Sequence, residues 1–224
     1  MSKMASTHCE RPLAAVTGAL SGIGYELARQ FAEHGYDLLA VADDDDVACL
    51  TDDFAAHGCS LKPLQLDLGT LEGQRAFLRA VQSEFRPLDA IAINAGVGVS
   101  GEFARETPLD EELHLIELEV MGTVRLTKAL LPNMLKRRQG RVLLTSSTAA
   151  LAPTPYEAVF AASKAFLLSF ASSLQAELKN TGVSVAALVP GADPLGTARA
   201  GFRAMMKSDP RAPSAFVHFP SSAA

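Results

Sequence analysis

The sequence predicts an α/β domain built on a doubly wound parallel sheet of six strands. Three observations predict it. Short apolar runs recur along the chain and are continuous rather than alternating. Longer segments with helical period separate them. A glycine-rich stretch joins the first run to the first helix. Strands covered on both faces read as continuous apolar runs, and strands alternating with helices imply right-handed crossovers in one parallel sheet.

The elements follow in order. The first run is at 13–16, followed by a helix with Ile23, Leu27 and Phe31 on one face, closed by Gly35. The second run is at 38–42, and a helix begins within the aspartates at 44–46. A third strand is expected around 64–66, then a helix marked by Phe77, Leu78, Val81 and Phe85. The fourth run is at 90–93. A long helix follows from about 109 to 136, expected to bend near Pro132 because proline lacks the amide a helix interior needs. The fifth run is at 142–144, with a helix to about Glu177, and the sixth is at 183–189. No internal repeat or low-complexity linker interrupts the pattern. Residues 1–12 read as a flexible N-terminus, 13–200 as one domain carrying a pocket, and 201–224 as an irregular tail.

A chain of 224 residues, 48% of them hydrophobic, can bury one sizeable core. The net charge of -5 gives no electrostatic reason to expect nucleic acid or an anionic membrane. Residues 1–12 hold no apolar run of signal-peptide length, and no stretch approaches the roughly 18 apolar residues of a membrane span, so a cytoplasmic protein is expected. Cys9, Cys49 and Cys59 lack metal or redox spacing, and the five histidines are scattered. Reduced, incidental thiols and no metal site are the expectation.

Residues 17–24, TGALSGIG, lie between the first strand and the first helix. A tight glycine turn there lets the backbone approach a diphosphate. The helix N-terminus presents free amides and a positive dipole end to it. A side chain at Gly18, Gly22 or Gly24 would block that approach. The spacing is GxxxGxG rather than the general GxGxxG, and any sharp strand-to-helix turn also favours glycine. Placement directly after a buried strand favours the dinucleotide-binding (Rossmann) reading. Asp43 ends the second strand, where a carboxylate can accept both adenosine ribose hydroxyls and would repel a 2′-phosphate. Three more aspartates follow instead of Arg or Lys, so NAD is favoured over NADP. The alternative for Asp43 is an acidic residue in the first turn of a helix, stabilised by its dipole.

From about residue 13 to 191 the chain resembles the short-chain dehydrogenase/reductase family. The motifs carrying the resemblance are TGALSGIG, Asp67-Leu68 after the third strand, Asn94-Ala95-Gly96 after the fourth, and Pro190-Gly191 after the sixth. The resemblance implies cofactor contacts from Gly18, Ser21, Gly22, Ile23, Gly24, Asp43, Asp67, Asn94, Ala95, Gly96, Lys164, Pro190 and Gly191. It also implies hydride transfer between a nicotinamide cofactor and a small alcohol or carbonyl substrate, and homo-oligomers through the long helices. The family's chemistry uses Ser, Tyr and Lys with a supporting Asn. Ser147 and Lys164 match the first and third. The tyrosine position, four residues before the lysine, holds Phe160, and the asparagine position holds Glu119.

Phenylalanine fills a tyrosine's volume but has no proton to give or take. A positioned acid or base supplies roughly 10²–10⁴ in rate, so alcohol and ketone turnover is expected to be lost or reduced by that order. Tyr156 reads as a pocket-lining residue at the helix mouth, with substitute catalysis as its alternative. Glu119 is expected either to pair with the Lys164 ammonium or to lie on the surface of an acidic helix beside Glu117. Two functions stand open: an impaired oxidoreductase, and a non-catalytic dinucleotide-binding protein. Beyond Gly191 the chain reads as truncated or altered, with a short lid helix at 195–207 and a last-strand candidate at 216–219 cut off by Pro220. The sixth strand is then expected to be an exposed edge.

Overall fold

The computed structural model describes residues 11–207 and 216–218. Its strands are β1 (Leu13–Thr17), β2 (Asp37–Ala42), β3 (Leu61–Gln65), β4 (Leu88–Ile93), β5 (Gly140–Thr145), β6 (Val183–Val189) and β7 (Phe216–His218). They form one sheet in the order β3-β2-β1-β4-β5-β6-β7, and every neighbouring pair is parallel. The six expected strands are therefore present. β7 corrects the expectation of an exposed β6 edge: Ala187, Leu188 and Val189 register with Phe216, Val217 and His218. β7 ends at His218, two positions before Pro220 in the sequence. Pro63 is tolerated in β3 because that strand is an edge.

Successive residues of a strand face opposite sides, and in β1, β2 and β6 both sides are buried. On one face Ala14, Val16, Leu38, Ala40 and Ala92 pack under helix α1 (Gly22–Glu33), the short α2 (Leu50–Asp53) and α7 (Pro194–Lys207). On the other, Ala15, Leu39, Ile91, Val142 and Val185 pack under α3 (Leu71–Ser83), α5 (Thr123–Arg137) and α6 (Ala158–Glu177). The aspartates after β2 open a 3-10 turn, where the Asp44 carboxylate accepts the Asp46 amide.

Three local expectations need correction. The long helical run changes its hydrogen-bond register at a π turn, Glu117–Gly122, between α4 (Leu109–Ile116) and α5; Pro132 sits inside α5. The region after residue 200 begins as helix: α7 runs to Lys207, and its stripe of Ala198, Phe202 and Met205 is buried. α7 is thus a core layer packed on α1 rather than a lid, with the Phe202 and Phe31 rings edge-to-face at 5.2 Å. The third correction concerns apolar length. Among the described helices α6 is long and apolar enough to cross a membrane by length and composition, with 20 residues and a mean hydropathy of 1.2 over an 18-residue window. It packs against β5 and β6 and buries Ser163, Lys164, Leu167 and Ala171. At the N-terminus, residues 1–10 lie outside the described set. Arg11 bonds to the Gly35 carbonyl, and the Pro12 carbonyl accepts the Asp37 amide, so the ordered chain begins before residue 13.

Candidate functional site

All seven strands end on the same rim of the sheet. β1 leads through α1 to β2 on one side, and the chain returns through α3 to β4 on the other. The order reverses between β1 and β4, and a crevice opens there at the strand carboxyl ends, the usual ligand position in such sheets.

The turn after β1 forms one wall. Gly18 has φ +66, a left-handed conformation that a side chain strains. Gly24 lets α1 start directly against this turn: a Cβ there would lie 1.8 Å from the Gly18 carbonyl oxygen. Ser21 occupies the N-cap with extended backbone but makes no side-chain cap bond, and no acidic residue stands in the first turn. The amides of Gly22, Ile23 and Gly24 thus begin a helix with no side chain of the protein satisfying them, which suits an anion. The Thr17 hydroxyl accepts the Asn94 and Ala95 amides, at 2.9 and 3.0 Å, and locks the β1 end to the β4 end. Asn94 Nδ2 reaches the Gly18 carbonyl at 3.4 Å.

Beside this wall lies a small cavity of about 90 Å³, lined among others by Gly18, Asp43, Asp67, Ala95, Gly96 and His114. Asp43 follows β2 by one residue and precedes the Asp44 cap, so it is outside the 3-10 turn and the helix-turn alternative does not hold for it. Asp67 is exposed, with one carboxylate oxygen accepting the Gly69 amide at 2.8 Å. At the far side, Pro190 and Gly191 follow β6, and the Gly191 amide donates to the buried Thr197 hydroxyl at 3.1 Å.

The remaining predicted residues gather where α6 meets the π turn. Glu119 and Lys164 are buried, at 1% and 6% exposure. Glu119 Oε1 lies 2.9 Å from Lys164 Nζ, a buried ion pair. The Ser163 hydroxyl donates to Glu119 Oε2. The Phe160 ring stands over the ammonium, 5.2 Å from centroid to Nζ, a cation–π distance. The surface alternative for Glu119 is therefore wrong, and the pairing alternative is observed. Ser147 takes a different part: its hydroxyl accepts the Ala149 amide at 3.2 Å and caps the turn Thr148–Leu151. Its neighbour Ser146, buried, donates to the Lys164 carbonyl at 2.8 Å and ties the β5 end to α6. Tyr156 precedes α6, has φ +67 and is 60% exposed, so it is not on the helix face of Lys164.

With this geometry in hand, likeness to known proteins decides the family. The short chain dehydrogenase profile matches residues 12–199. Oxidoreductase UcpA of Salmonella typhimurium is 35% identical over 180 residues, covering 80% of this chain and 68% of that protein. The chain belongs to the short-chain dehydrogenase family. An uncharacterized oxidoreductase of Myxococcus xanthus is 34% identical over 179 residues, covering 80% of this chain and 70% of its own. A metagenomic short-chain oxidoreductase solved in complex with NADP has the same fold, with a TM-score of 0.86, 24% identity, and coverage of 95% and 98% of the two chains.

Reading the sequence against this short-chain dehydrogenase frame missed three members of the site. Ser163 is masked because it sits beside the lysine that draws attention. Ser146 is masked in the same way by Ser147. His114 lies in the last turn of α4, after its acidic start, and reaches the cavity only through the fold: a Cβ on Gly69 would meet its ring at 2.3 Å.

Proposed function

We propose that this chain binds a nicotinamide dinucleotide across the β1–β4 crevice and is an oxidoreductase whose turnover of small alcohols or carbonyls is impaired. The single observation carrying the impairment is the phenylalanine ring over Lys164. A bound nicotinamide would supply or accept the hydride. The protein residues present would bind and orient, through the α1 amides, Asp43 and Asn94. Where a proton must move to or from the substrate oxygen, Phe160 offers none. The Ser147 hydroxyl accepts the Ala149 amide and keeps its proton to orient such an oxygen, but it is not an acid of useful strength.

The alternative, a non-catalytic dinucleotide-binding protein, is favoured by the Glu119–Lys164 pair. A lysine already neutralised by a buried carboxylate is less available to a ribose or a phenolate. In either reading Asp43 supports NAD over NADP, since no described cation beside it offsets a 2′-phosphate. The proposed setting is the cytoplasm, consistent with free thiols at Cys49 and Cys59. Small-molecule substrates and self-association through the helices complete the proposal.

Thermal shift with NAD and with NADP tests binding: ligand at about 100 times Kd adds about 2.7 kcal/mol of stability. Nicotinamide absorbance with a panel of alcohols and ketones tests turnover, for the natural chain and for Phe160→Tyr. Binding with little turnover, raised by Phe160→Tyr, is the expected result. Efficient turnover by the natural chain would refute the impairment, and no thermal shift with either dinucleotide would refute the binding.

A further inference from the structure

The pair at the floor of the crevice has a consequence for which form of a cofactor the site prefers. Gly96 lies just past the end of β4, is exposed, and has no side chain between the crevice and the pair beneath it. A Cβ on Gly96 would lie 2.6 Å from Glu119 Oε1 and 3.0 Å from Lys164 Nζ. Anything resting on this glycine therefore feels both charges through little intervening protein. Burial of both groups keeps water from screening them. Among the described residues no third charged group is paired with either. The floor is thus electrically neutral, where a lone lysine would make it positive.

We infer that Glu119, by cancelling Lys164 directly under Gly96, removes the penalty that a lone lysine there would set against the oxidised nicotinamide dinucleotide, so that the site admits the oxidised and reduced forms on more equal terms. The inference rests on the dinucleotide reading above. Oxidised nicotinamide carries one positive charge on its ring and the reduced form carries none. An uncompensated ammonium repels the first and is indifferent to the second. Asp43 and Asp67 lie on the β2–β3 side of the crevice and suit the adenosine half, so the nicotinamide half falls toward Lys164, on the β5–α6 side. The carboxylate removes the repulsion there. The ring of Phe160 stands over the same ammonium and adds no charge of its own.

The test is a set of dissociation constants for oxidised and reduced NAD and NADP, by calorimetry and by dihydronicotinamide fluorescence. The measured quantity is the ratio of the oxidised to the reduced constant, in which losses common to both forms cancel. A unit charge acting across about 10 Å at an effective dielectric near 20 changes a cation's binding on the order of tenfold. Glu119→Gln is expected to raise the ratio about tenfold. Lys164→Met is expected to lower it by a similar factor, and the double variant to return it to within about threefold of the natural chain. Each single variant is an independent check if the other does not fold. A ratio that moves less than about twofold in the folded single variants, while both forms still bind, overturns the inference alone. No binding of either form to the natural chain overturns the dinucleotide reading, and the inference with it.

Discussion

Removing the Glu119 carboxylate is expected to destabilise the whole domain. The side chain is 0% exposed and its partner ammonium 7% exposed, at 2.9 Å. Glu119→Ala leaves Lys164 buried without a counter-charge, under a phenylalanine ring and beside a serine whose preferred acceptor is gone. Breaking a buried pair from one side costs about 3–5 kcal/mol, mostly because the remaining ion is uncompensated. For a chain of this length each kcal/mol shifts Tm by about 2–4 °C, so the fall is roughly 6–20 °C. Differential scanning calorimetry at neutral pH measures it. The paired substitution Glu119→Leu with Lys164→Met separates charge from volume. It removes both ions together and is expected to be neutral or more stable by about 1–4 kcal/mol. A loss below about 1 kcal/mol for Glu119→Ala would refute the reasoning, because an exposed pair is worth no more than that.

Three further outcomes are expected. Gly24→Ala must push α1 off the Gly18 carbonyl, where its Cβ would sit at 1.8 Å; a loss of about 1–3 kcal/mol in urea denaturation, together with loss of the dinucleotide thermal shift, is expected. Phe202→Ala opens a cavity between α7 and α1 and is expected to cost about 3–5 kcal/mol; a cost under 1 kcal/mol would mean α7 is not a core layer. Burial pushes the Tyr36 phenol above its usual range, with nearby Arg141 opposing. The unfolded chain then gives up this proton first, so stability is full below about pH 10 and declines as pH rises further. Tyr36→Phe is expected to flatten that decline, read as urea midpoints at pH 8 and about pH 10.5, and equal declines in both chains would contradict it.

The sheet was legible because its signal is local and repeated. Residues 38–42 are a continuous apolar run, and all five are buried from both faces. The turn at 17–24 was legible for the same reason, since both its glycines and its place between strand and helix are written in sequence. α7 was legible only in part. Gly201 interrupts its apolar stripe and lowers helix propensity, yet a Cβ there would stand 2.9 Å from Leu188 Cδ2. The glycine is the condition for α7 to lie close on β6, a reason that exists only once the helix and strand are side by side.

Glu119 shows most clearly what the sequence withheld. Two glutamates flank Leu118 and look alike in composition, charge and helical neighbours. Glu117 is part-exposed and pairs with Arg125 on its own helical run. Glu119 is buried against a lysine on another helix. No propensity separates them. What separates them is the face each occupies: Glu119 lies four residues after the buried Leu115 and three before the buried Gly122, Glu117 falls between these positions, and the partner that the buried face meets, Lys164 on α6, becomes visible only in the fold. π turns occur frequently at functional sites. Here the turn Glu117–Gly122 holds the carboxylate that reaches the crevice floor, while its neighbour two positions earlier stays part-exposed. The electrostatics of the site therefore depend on which face of the helix a carboxylate occupies, and on the lysine that face meets, rather than on the presence of an acidic residue.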